Sequence, residues 1–99
     1  MTGDHRLWVD RERGVVRVGD EAVALSPQET ALLGALVDAS GRVLSRRELA
    51  RRLGSPPPPE RRCDQVLVGL RQALGPDAIR NVRGRGWMLS LPADAPADQ

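Results

Sequence analysis

Two Ser-x-x-Glu boxes, Ser26-Pro27-Gln28-Glu29 and Ser45-Arg46-Arg47-Glu48, constrain this chain more than any other feature, because each fixes the start of a helix. In such a box the serine hydroxyl takes an orphan amide of the first turn, and the glutamate returns a bond to the serine amide. Proline after Ser26 suits the first helical position, where no amide partner is needed. Leu32, Leu33, Leu36 and Val37 then recur at helical spacing until Ser40-Gly41 stops the element. The second box opens a short helix with Leu49 and Leu53 on its buried side and Arg46, Arg47, Arg51 and Arg52 outside. Arg51 and Arg52 are expected to form a solvated face. The run Gly54-Ser55-Pro56-Pro57-Pro58-Pro59 cannot be helical and predicts an extended loop. A third helix is expected from about Glu60 to Leu74, with residues 63, 66, 67, 70 and 74 as its apolar stripe and Gly75-Pro76 as its stop.

On either side of the helices the pattern changes to strands. Leu7–Asp10, Val15–Val18 and Ala22–Leu25 are short runs separated by polar, glycine-bearing turns, and they predict a small antiparallel meander. After the third helix, residues 79–91 hold two apolar-rich runs with Gly84 and Gly86 flanking Arg85, the pattern of a tight hairpin that carries guanidinium groups into solvent. Trp8 and Trp87 both fall on strands and are assigned to the core, since a chain without phenylalanine or tyrosine needs its indoles for volume. From Pro92 onward there is only Ala, Asp, Pro and Gln. Residues 92–99 are expected to be a disordered tail behind one α+β domain over 1–91.

All 15 basic residues are arginine, in a composition that looks GC-driven, so position carries more information than number. Residues 1–40 hold four arginines against seven acids, net −3, whereas residues 41–91 hold eleven against four, net +7. A formal charge of +2 therefore hides a dipolar chain, the footprint of a domain with one nucleic-acid face. The single cysteine, Cys63, excludes an internal disulfide and a multi-cysteine zinc site, and its place in the apolar stripe predicts a buried thiol. Neither a membrane-length apolar run nor a signal-peptide core is present, and the expected location is the cytoplasm. His5 lies in the N-terminal segment, and no nucleophile, base and orienting group fall in a suggestive arrangement, so neither an enzyme nor a cofactor is expected.

Four segments, in order and at this spacing, carry a family resemblance: Leu25-Ser26-Pro27-Gln28-Glu29 with Leu32-Leu33; Gly41 to Leu49; Leu70-Arg71 with Ala73-Leu74-Gly75; and Val82-Arg83-Gly84-Arg85-Gly86-Trp87. Over roughly residues 7–91 the chain resembles the OmpR/PhoB-type winged-helix domain, the DNA-binding effector of two-component response regulators. The resemblance implies a winged helix-turn-helix with an N-terminal antiparallel sheet, three helices and a C-terminal hairpin wing, the third helix being the recognition element. It also implies that loop 54–59 can touch RNA polymerase. In the family a receiver domain usually stands upstream, and none is found in this sequence. The expectation is an orphan regulator, an excised effector, or an accessory domain similar to the C-terminal extension of some actinobacterial uroporphyrinogen-III synthases. The recognition helix departs most, with Val66, Val68 and Gly69 where the family commonly has polar or basic residues.

Residues 61, 65, 68 and 72 share one face of the third helix, with 62, 69 and 71 at its margins. Arg61, Arg62 and Arg71 suit phosphate or a guanine edge, Gln65 and Gln72 an adenine, and Val68 a thymine methyl. Gly69 costs about 1 kcal/mol relative to alanine inside a helix, which implies either that a partner approaches its backbone closely or that the site simply tolerates the loss. Arg83 and Arg85 at the wing tip are the leading DNA contacts, and Arg46 and Arg47 can hold phosphate at the start of the second helix. The expected partner is duplex DNA, bound by a protein that is monomeric in solution, with a dimer on DNA as one arrangement. The alternative is a protein-interaction module in which Val68 and Gly69 form a small apolar patch for RNA polymerase or another protein, and the arginines meet acidic groups.

Overall fold

The computed structural model describes residues 6–94. Strands β1 (Leu7–Asp10), β2 (Val15–Val18) and β3 (Glu21–Val23) form the antiparallel meander, with Leu7 opposite Val18 and Val16 opposite Val23. Strand parity decides what each residue meets. Leu7, Val9 and Val16 enter the core, while Trp8 takes the other face beneath Arg17, whose guanidinium carbon lies 4.3 Å from the indole centroid. The assignment of Trp8 to the core is therefore corrected: it is half-buried under a cation, and only Trp87 is a core indole. The third strand also starts and ends earlier than the apolar run Ala22–Leu25 suggested, because beyond Val23 the chain leaves the ladder to present Ser26 as a cap.

A fourth strand, β6 (Ala93–Asp94), completes the sheet in the order β3-β2-β1-β6 and runs parallel to β1. The Leu7 amide donates to the Pro92 carbonyl at 2.9 Å, and Ala93 packs against the core. The expected tail from Pro92 is corrected over residues 92–94. Two residues have no periodicity to read, and what orders them is the open edge of β1. The remainder of that tail, 95–99, lies outside the described residues.

Helices α1 (Pro27–Asp38), α2 (Arg46–Arg51) and α3 (Glu60–Leu74) start where the sequence predicts. In the first box the Glu29 amide donates to Ser26 Oγ at 3.1 Å and the Ser26 amide to Glu29 Oε1 at 2.9 Å. The second repeats the geometry at 3.1 and 2.8 Å. Its bonds with Ser45, backbone amide first, hold the Glu48 carboxyl below its ordinary pKa. Between α2 and α3, residues 54–59 carry neither helix nor strand.

Helix α3 packs against both α1 and α2, burying Cys63, Leu67, Leu70 and Leu74 against Leu32, Leu33, Leu36 and Leu49. Burial pushes the Cys63 thiol up to about 11, so it stays protonated at neutral pH. The β4 (Ile79–Val82) and β5 (Gly86–Leu89) hairpin closes the domain, with Asn81 opposite Trp87. It is stitched to the segment before α2: Leu44 and Trp87 exchange both backbone bonds, at 2.8 and 2.9 Å. Gly86 makes this approach possible, since a β-carbon there would stand 1.9 Å from the Leu44 carbonyl oxygen. Among the described residues no helix is long and apolar enough to cross a membrane.

Candidate nucleic-acid interface

Three elements meet around one exposed surface: the first turn of α2, the solvent side of α3, and the wing formed by β4, β5 and the turn 83–85. The fold brings them together because Leu44 is bonded to Trp87 immediately before the Ser45 cap. The result is a groove of about 740 Å³ whose walls include Arg47, Asp64, Arg71, Arg85 and Trp87. A second groove of about 540 Å³ lies at the other end of α3, between Gln28, Pro58, Pro59, Arg61, Arg62 and Gln65.

On α3, Arg61, Arg62, Gln65, Val68, Arg71 and Gln72 are all exposed. This follows from the stripe 63, 67, 70 and 74 being buried, which rotates the opposite side outward. At the wing, Gly84 takes a φ of +76°, which suits a residue without a β-carbon, and Arg83 and Arg85 flank it in the exposed turn. Arg47, Arg61, Arg62, Arg71, Arg83 and Arg85 make no ion pair among the described residues. Six cations thus face solvent from α2, α3 and the wing.

Arg46 differs. Its Nε and Nη2 donate to the two Asp64 oxygens at 3.0 and 2.7 Å, and Nη1 lies 3.6 Å from Glu60 Oε1. The Asp64 hydrogen bonds, and then its charge, raise the Arg46 pKa further. Arg46, expected to hold phosphate beside Arg47, is instead committed to an ion pair that ties α2 to α3, with two of its five donors engaged by Asp64. Asp64 and Glu60 were not singled out from the sequence. Their spacing of four within an arginine-rich helix start was the available signal, since such residues share a helix face.

Gly69 is also placed differently from expectation. It is half-buried under α1, where a β-carbon would come within 2.7 Å of Glu29 Oε2. The group that approaches its backbone is the capping glutamate of the protein's own first helix, so Gly69 lies off the exposed face that holds Val68. Arg52 is likewise not simply solvated, for its Nη2 donates to Asp38 Oδ2 at 3.2 Å, whereas Arg51 is exposed.

Comparison with known proteins agrees with this geometry. The family model described as "Transcriptional regulatory protein, C terminal" matches residues 20–89. The response regulator protein PmrA of Pseudomonas aeruginosa is 42% identical over 89 residues, covering 88% of this chain and 40% of PmrA. Protein PetR of Rhodobacter capsulatus is 31% identical over 96 residues, covering 85% of this chain and 40% of PetR. The chain thus spans about 40% of the length of these curated relatives. Among solved structures, the Klebsiella pneumoniae RstA DNA-binding domain in complex with RstA box is similar at a TM-score of 0.73. The two are 27% identical, with 82% of this chain and 87% of that one covered. With these matches over the winged-helix fold, the chain belongs to the family of C-terminal domains of transcriptional regulatory proteins, of the OmpR/PhoB type.

Proposed function

We propose that this domain binds duplex DNA as the effector of a transcriptional regulator, with α3 in the major groove and the wing on the adjacent backbone or minor groove. The observation that carries this reading is the set of exposed arginines on α2, α3 and the wing that make no ion pair among the described residues. In the chain's other acidic-rich half, by contrast, Asp38 is engaged by Arg11 and Arg52. Phosphate neutralisation by such a surface releases counterions and makes affinity fall steeply with salt. The similarity to PmrA supports a place in a two-component response regulator, acting in the cytoplasm where the DNA lies, as a binding domain and not an enzyme. Arg47, Arg61, Arg62, Arg71, Arg83 and Arg85 are the proposed backbone contacts, and Gln65, Val68 and Gln72 the proposed base contacts.

Fluorescence anisotropy with a labelled duplex at several salt concentrations tests the reading. The expected outcome is binding whose logarithm falls linearly with the logarithm of salt. A folded sample that binds no duplex at low salt overturns it and favours a protein-binding module. A second contact is supported by the exposure of loop 54–59, which sits at the N-terminal end of α3 and leaves its backbone outside helix and sheet. We assign it to RNA polymerase, to be tested by a change in transcriptional output, with DNA affinity retained, when the exposed Pro57 is changed to serine.

A further inference from the structure

The exposed face of α3 is divided by charge. Arg61 and Arg62 stand at its N-terminal end beside Pro58 and Pro59, and Arg71 opens into the groove under the wing. Gln65, Val68 and Gln72, on the same face as Arg61, are exposed and uncharged. Val68 is 49% exposed, which no other large hydrophobic of α3 matches. Its neighbour Gly69 adds no side chain, and the Glu29 carboxylate covers that position from α1. Nothing on that side of Val68 therefore rises from α3 to shield it.

Side chains that pair with phosphates position a recognition helix, and those that reach base edges in the groove read the sequence. Arginine and lysine are the usual readers of guanine, a glutamine amide pairs with adenine N6 and N7, and an apolar group packs on the thymine C5 methyl. Beyond the first turn, which carries Arg61 and Arg62, the outward face of α3 offers two amides and one valine, with Arg71 at its margin. We infer that the protein recognises A·T pairs in the major groove, with Val68 packed on a thymine C5 methyl and Gln65 and Gln72 bonded to adenines on either side. Seven residues of helix rise about 10 Å, which is about three base steps, with Val68 over the middle one. This inference rests on the duplex-DNA reading above and names what that site reads.

The test begins by selecting preferred duplexes from a random pool with the 99-residue chain. Affinity is then measured, at one salt concentration, for the selected duplex and for versions in which each thymine in turn is replaced by uracil. Uracil pairs as thymine does and lacks only the methyl group. The selected core is expected to hold A·T pairs, and one uracil swap is expected to weaken the wild type by about fourfold, the worth of one buried methyl. That same swap should leave Val68→Ala, checked for folding by circular dichroism, unchanged. A G·C core, indifference to uracil at every position, or equal sensitivity in Val68→Ala overturns the inference while salt-dependent binding leaves the DNA function standing. Failure of a folded sample to bind any duplex at low salt overturns both.

Discussion

Gly86 and Gly84 are two residues apart in the wing, yet the structure uses them differently. At Gly84 a β-carbon would meet nothing within 4 Å, so alanine there suffers only the strain of a φ of +76°, about 1 kcal/mol. At Gly86 the φ is +144° and the Leu44 carbonyl fills the β-carbon's place, so alanine must break the bridge that holds the wing to α2. Gly86→Ala is expected to cost more than about 3 kcal/mol by urea denaturation, and Gly84→Ala far less. Gly69 offers a subtler case. Alanine improves helix propensity by about 1 kcal/mol, but its β-carbon crowds Glu29 Oε2, and moving that carboxylate weakens the bond its Oε1 accepts from the Ser26 amide. Gly69→Ala should be nearly neutral in the wild type and stabilise by about 1 kcal/mol once Glu29 is alanine. A double-mutant cycle measures this coupling, and additive effects would mean that Glu29 and Gly69 do not touch.

Between elements, Asp38 at the end of α1 gathers Arg11 from the β1–β2 turn and Arg52 from the end of α2. Arg11 also donates to the Gly34 carbonyl at 3.0 Å, so one guanidinium ties the meander to α1 at two points. A carboxylate at a helix C-terminus opposes the helix dipole, and these cations offset that cost. Their hydrogen bonds, that of Arg11 foremost, hold Asp38 below its ordinary value of 3.8. A depressed carboxyl pKa adds stability that is complete above the unfolded value and is lost as pH falls through the folded one. The wild type should therefore lose thermal stability below pH 3.8 more steeply than Asp38→Asn. Both partners are about half exposed, which limits the effect to about 1 kcal/mol. Parallel pH profiles of the two proteins would refute the tether.

Across the whole molecule, charge is separated along the chain and then folded into one surface. Residues 41–91 carry net +7, and α2, α3 and the wing, all within that stretch, come together about the groove. Arg83→Ala with Arg85→Ala removes two cations from an exposed turn that contributes no buried side chain. The double variant is expected to keep its circular dichroism, to bind every duplex more weakly, and to show a salt slope shallower by about 2. An unchanged slope would remove the wing from the phosphate contacts. What the sequence determined by itself was local: both capping boxes, the bounds of α3, the hairpin and the asymmetry of charge are written in residues a few positions apart, where hydrogen bonds and periodicity act. Tertiary structure decided the rest. Arg46 is neutralised by Asp64, eighteen residues away, Gly69 is matched to Glu29 across two helices, and β6 is ordered by an edge on the first strand. Each depends on which backbones come within a few ångströms after packing, and that distance is a property of the assembled core, not of any local run of residues.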